Sequence, residues 1–164
     1  MSLQPKSVSE VPVETARVAR AAFRKGNPYL RFRDEFGALF ADQDFVQLYP
    51  SRGQPALSPG QLALVTLVQF TENLTDRQMA DQVRARIDLK YLLNLELTDT
   101  GFDFSMLSEF RRRLVDGNAE ALLLNTMLEG CVALTGRTAD GRQRWPKVQA
   151  TPAATADHVW NARF

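Results

Sequence analysis

SPGQLALVTLVQFTENLTDRQMADQVRAR, residues 58–86, decides the fold. Ser58 stands where a helix cap belongs, Pro59 takes the first helical position, and Gln61 follows the serine by three, the pattern of a capping box. The helix opened there runs to about Asn73. Its apolar residues Leu62, Leu64, Val65, Leu67, Val68 and Phe70 cover most of its circumference, so it belongs at the centre of a core. Thr75-Asp76-Arg77-Gln78 repeats the box and opens a second helix to about Arg86, with Met79, Ala80, Val83 and Ile87 on its core face.

Working outward, Pro12 suits the first turn of a helix to about Arg24, which Gly26-Asn27-Pro28 stops. A short helix is expected around Leu30–Phe36, broken near Gly37, and another from Asp42 to before Pro50. On the other side, Asp88–Leu93 reads as a short helix and Asp99-Thr100-Gly101 as a turn. Ser105 caps a helix through about Val115, and a last one covers Ala119–Leu134, closed by Gly136. No period-two strand is found. The fold class is all-α, a compact multi-helix bundle with an irregular C-terminal tail. Residues 1–11 read as a flexible lead, 12–136 as the helical domain and 137–164 as the tail, where no apolar period persists.

Net charge is +1, so no global field argues for nucleic acid or membrane, but the distribution is uneven. Arg17, Arg20, Arg24, Lys25, Arg31 and Arg33 follow one another with no acid between them. Spacings of three and four stack Arg17, Arg20 and Arg24 in a stripe roughly 10 Å long, with Val18, Ala21 and Ala22 opposite for packing. Phosphate contact is one use of such a stripe, and a solvated surface is the other.

SMLSEFRRRL, residues 105–114, carries the second basic group. Met106, Leu107, Phe110 and Leu114 share one face. Ser105, Ser108, Glu109 and Arg112 lie opposite, with Arg111 and Arg113 on the flanks. Hydroxyls and guanidinium forks on an outer helix face suit phosphates and the guanine edge in a major groove. Arg77 and Arg84 stand together on the helix from Thr75. The two helices make an extended helix-turn-helix-like pair, although their link is far longer than a tight turn. A basic face on an ordinary bundle would show the same composition.

Catalytic patterns are missing. Cys131, the only cysteine, is in register with Leu124, Met127, Leu128 and Leu134 and reads as a core residue; alone it allows no internal disulfide and fits a reducing compartment. The only histidine, His158, falls in the tail. One histidine and one cysteine make no four-ligand zinc site, and no phosphate loop or nucleophile elbow occurs. The pairs Asp42/Asp44 and Asp99/Asp103 fall at caps and turns, where carboxylates serve local structure. No cofactor, metal or catalytic residue is assigned. No signal peptide is read at the start, and the apolar stretch Leu62–Phe70 is too short to span a bilayer.

Three stretches in order resemble one family. They are VPVETARVARAAFRKGNPYLRFRDEFG from Val11, FVQLYPSRGQPALSPGQLALVTLVQFTENLTDRQMADQVRARIDLKYLLNLELTDTGFDFSMLSEFRRRL from Phe45, and the helix that follows. GQPALSP, the ENLTDRQ turn, the D-x-KY-x-L-x-L-x-L stretch and the D-x-S-x-LSEFR helix keep that family's order and spacing. The chain is similar, over about residues 11–144, to the InsH-like N-terminal domain of bacterial insertion-sequence DDE transposases. The resemblance implies a bacterial cytoplasmic, nucleoid-associated protein whose partner is double-stranded DNA at the element's terminal inverted repeats. A homodimer is among the states it allows. In relatives a ribonuclease-H-like domain with two Asp and one Glu does the cutting. After Gly141-Arg142-Gln143-Arg144 this sequence departs from the pattern, so no acidic triad is carried over, and a truncated or frameshifted chain without enzymatic activity is expected. The DNA face expected is Arg17, Arg20, Arg24, Arg77, Arg84, Ser105, Ser108, Arg111, Arg112 and Arg113. Rival readings are a free-standing helix-turn-helix regulator, a helical oligomerisation module, and a transposase whose catalytic half comes from another reading frame.

Overall fold

A computed structural model describes residues 2–5 and 10–126. Among them the chain forms α1 (Val13–Ala22), α2 (Pro28–Phe36), a 3₁₀ helix (Asp42–Leu48), α3 (Pro59–Glu72), α4 (Asp76–Ala85), α5 (Ile87–Leu92) and α6 (Ser105–Asp116). Residues 120–126 are again helical. The described residues contain no strand, only a parallel bridge between Ser2 and Pro55. The all-α expectation holds. The remainder of the helix expected to run to Leu134, with Cys131, and the tail with His158 lie outside the described residues.

α3 is the central element. Leu62, Ala63, Leu64, Val65, Thr66 and Val68 are all buried, and the Thr66 hydroxyl donates to the Leu62 carbonyl at 2.8 Å, so its polarity is satisfied inside the core. Two expected core positions differ. Leu67 is only half-buried, and Phe70 is 60% exposed. Positions 67, 70 and 71 share the side of the last turns that no other element covers completely. The helix ends at Asn73, whose left-handed backbone (φ 54°, ψ 46°) lets its amide and that of Leu74 reach back to the carbonyls of Phe70 and Gln69.

The start of α3 is held from outside. Ser58 Oγ accepts from the Gln61 amide at 3.2 Å, as a cap should, but the Gln61 side chain donates to the Leu93 carbonyl instead of completing the box. Asp42 takes the remaining donors, accepting from the Ser58 hydroxyl at 2.6 Å and the Gly60 amide at 3.2 Å. The 3₁₀ helix is thereby tied to the first turn of α3, backbone close to backbone. A Cβ on Gly60 would stand 2.7 Å from the Phe40 carbonyl oxygen, inside van der Waals contact. The box at Thr75 is complete: the Gln78 amide donates to Thr75 Oγ1 and the Thr75 amide to Gln78 Oε1.

Around α3, the main core gathers Phe40, Phe45, Met79, Val83, Leu89, Leu107, Phe110, Leu114 and Leu123. A separate small cluster of Ala19, Leu30 and Tyr91 joins α1, α2 and α5. α1 buries Thr15 and Ala19, not the Val18, Ala21 and Ala22 face expected from the sequence; Ala21 and Ala22 are exposed and Val18 is half-buried. The reason is a polar anchor. Thr15 Oγ1 donates to the Leu95 carbonyl at 2.8 Å, which turns its own side of α1 inward, and small alanines gain too little by burial to oppose it.

Candidate nucleic-acid interface

α6 presents the face its spacing predicts. Leu107, Phe110 and Leu114 are buried, while Ser105, Ser108 and Arg112 are exposed. Ser105, expected to cap this helix, is its first residue instead; Asp103 sets the helix start, its Oδ1 accepting from the Ser105 amide at 2.9 Å and from the Ser105 hydroxyl. Ser108 Oγ donates to the Ser105 carbonyl at 2.8 Å. Arg112 makes no side-chain hydrogen bond or ion pair among the described residues, so its donors face solvent.

The flanking arginines serve the fold. Arg111 is 5% exposed. Its Nη2 donates to Asp76 Oδ2 at 2.7 Å and its Nη1 to Asp76 Oδ1 at 3.0 Å, a two-pronged bridge from α6 to the first residue of α4. Gln69 of α3 donates to the same carboxylate at 2.6 Å. Burial alone would raise the Asp76 carboxyl, but the hydrogen bonds of Arg111 and Gln69 and the Arg111 charge outweigh it and hold it below the ordinary range. Arg111 is therefore withdrawn from the expected DNA face: its guanidinium is consumed inside. Arg113 is half-buried against the Tyr49 ring, 4.8 Å from its centre, and pairs with Glu109 while donating to the Leu48 carbonyl. It too is spent on packing α6 against the 3₁₀ helix.

The pair α4 and α6 pack side by side, with α5 between them in sequence. Arg77 and Arg84 are both exposed on α4. The Arg77 guanidinium lies over the Phe104 ring at 4.3 Å from its centre, directly before α6. Arg84 Nε donates to the Thr100 carbonyl at 3.0 Å, and its Nη1 pairs with Asp81 at 3.0 Å. The charges of both arginines reach Asp103, whose carboxyl is held low first by its bonds to Ser105 and further by those charges. Arg77, Arg84 and Ser105 thus converge at one end of α6, with Ser108 and Arg112 following along its outer side.

The α1 stripe is exposed as expected, but two of its members have acidic neighbours. Arg17 pairs with Glu14 at 2.6 Å. Arg20 donates to the Tyr91 hydroxyl at 3.0 Å and lies 3.6 Å from Asp34, which accepts the Tyr91 hydroxyl in turn. Arg24 is exposed and makes no such pair among the described residues. Arg33, read as extending this basic region, is buried and donates to the Gly37 carbonyl. α1 leans on α5, whereas α6 packs on α3 and α4, so different parts of the bundle carry the two basic groups.

Three of the four carboxylates read as serving local structure do accept a nearby amide, whereas Asp42 reaches across to the start of α3, a tertiary contact and not a local one. Asp42 takes Gly60, Asp44 takes Ala41, Asp99 takes Gly101 and Asp103 takes Ser105. A further network escaped the sequence: Arg86 bridges Glu72 and the buried Asp88, Asn27 donates to Asp88, and Tyr29 donates to Glu72. It fixes α2, α3 and α5 around the root of α4. Phe104 also carried no signal, because its partner Arg77 lies on another helix.

These elements define an all-helical module whose outer face, on two adjacent helices, offers hydroxyls and arginine forks. The family model described as Transposase domain (DUF772) matches residues 17–113, and the chain belongs to that family. The match ties it to transposition. No curated protein and no solved structure matches the chain. No helix among the described residues is long and apolar enough to cross a membrane.

Proposed function

We propose that residues 12–136 form the DNA-recognition module of an insertion-sequence transposase, docking on the element's terminal inverted repeats through α4 and α6. The carrying observation is the Asp76–Arg111 bridge, which locks the two helices together while leaving Arg77, Arg84, Ser105, Ser108 and Arg112 outside. In this reading α6 enters the major groove, α4 crosses the backbone, and Arg24 with the α1 stripe adds phosphate contacts. The role is recognition, and no residue of the chain is proposed as catalytic.

Fluorescence anisotropy with a duplex carrying the repeat tests this. With about four phosphates neutralised, log K falls against log salt with a slope of about −3.6. Arg112→Ala weakens the repeat by roughly 5- to 150-fold and random duplex little, whereas Arg17→Ala weakens both alike and shallows the slope by about one. A flat salt response, or absence of binding at low salt, overturns the proposal and favours a helical interaction module.

A further inference from the structure

The geometry points to Arg77 as a guanine-reading residue, held in reading position by the face of Phe104. The inference rests on the docking proposed above and names one base contact within it. An arginine on a protein surface is usually ordered by a carboxylate that consumes its donors. Arg84 pairs with Asp81, and Arg17 with Glu14, in that way. Arg77 differs. Its guanidinium is held by the Phe104 ring at 4.3 Å, and it donates no hydrogen bond among the described residues. A cation–π contact orders the fork through its flat face and leaves the N–H edge available. The nearby Asp103 carboxylate is engaged with the Ser105 amide and hydroxyl through one oxygen.

Position matters as much as order. Phe104 immediately precedes α6, so the fork stands at the helix end that meets base edges when such a helix lies in a major groove. Two parallel N–H donors match the O6 and N7 acceptors that only guanine presents side by side there. Lysine at this place would supply equal charge but no fork. Phe104 is then a positioning residue: it contributes no donor and no charge, and acts through Arg77.

The test separates fork from charge. The wild-type chain selects a duplex from a random-sequence pool, and that duplex and its single base-pair changes are titrated with four proteins. Arg77→Lys is expected to lose roughly 5- to 150-fold discrimination at one G·C pair while keeping the salt slope. Phe104→Leu, which keeps an apolar side chain, loses discrimination at the same pair, also with the slope intact. Arg77→Ala loses it and shallows the slope by about one. Thermal melts of each variant establish that it is folded. If Arg77→Lys retains full discrimination at every position, or Phe104→Leu alters none, the assignment is wrong. If the wild type selects no sequence at all, the docking proposal itself has failed, a different and recognisable outcome.

Discussion

Replacing Phe110 by alanine is expected to cost about 3–5 kcal/mol of folding stability, the range for a large aromatic removed from a closed core. Phe110 is 1% exposed and sits where α6, α3 and the 3₁₀ helix meet, its ring edge-on to Phe45 with centres 5.8 Å apart. Truncation removes that aromatic pair as well as the buried area. Against a total stability of ~5–15 kcal/mol for an ordinary domain, the loss is a large fraction. Urea titrations of the two proteins measure it. Leu67→Ala provides the contrast: half-buried on the open side of α3, it should cost about 1 kcal/mol, an ordinary single-substitution value. A cost below about 1 kcal/mol for Phe110, or equal costs for the two, means that the core has been misplaced.

Arg111→Ala should also unfold the molecule more readily, by about 3 kcal/mol, because it removes the charge partner of the Asp76 carboxylate and leaves it only the Gln69 amide. That figure is at the low end for a broken buried pair, since the Asp76 side chain keeps 22% exposure while Arg111 keeps 6%. Its neighbour Arg112 on the outer side should change stability by less than about 0.5 kcal/mol on substitution. Stability and DNA affinity are therefore expected to separate within two adjacent residues. The bridge also has a pH signature. The Asp76 carboxyl is depressed in the folded chain, so its contribution is complete above the unfolded value near pH ~4 and is lost as pH falls through the folded value. The stability difference between wild type and Arg111→Ala should hence narrow from pH 7 towards pH 3. A constant difference across that range would show that the carboxylate is not what the arginine stabilises.

Helices and their limits were readable because caps and apolar spacing are local. Thr75 and Gln78, Asn73 and the helical spacing within SMLSEFRRRL each specify geometry over a few residues, and the structure places them accordingly, whereas Pro28, read as part of a stop, opens α2 behind the Asn27 cap. What escaped is what depends on distant partners. Helical spacing puts Arg112 outside and Arg111 on a flank, but only the approach of Asp76 from another helix turns Arg111 inward as a strut. Thr15, polar and unremarkable by spacing, is fully buried because Leu95 offers it a carbonyl. Phe70, apolar and in register, lies outside because it falls on the side of α3's last turns that no other element covers completely, while Gln69 and Glu72 beside it are engaged by α2, α4 and Arg86. The candidate surface was legible as a composition of arginines and serines, but not as a division between groups already paired and groups still open.

The small cluster of Ala19, Leu30 and Tyr91 has a dynamic consequence. α1 rests on it and on the Thr15 hydrogen bond, while the main core lies under α3 and α6. A unit with so few buried contacts can detach without disrupting the remainder, at a free energy well below that of global unfolding. Amide hydrogens of α1 should therefore exchange with deuterium earlier than those of α3, with a denaturant dependence smaller than that of global unfolding, as in sub-global opening. Tyr91→Phe, which removes the hydroxyl shared by Arg20 and Asp34, should hasten exchange in α1 and leave α3 unaffected. The arginine stripe of α1 would then ride on the smaller of the two buried clusters, the one expected to open first.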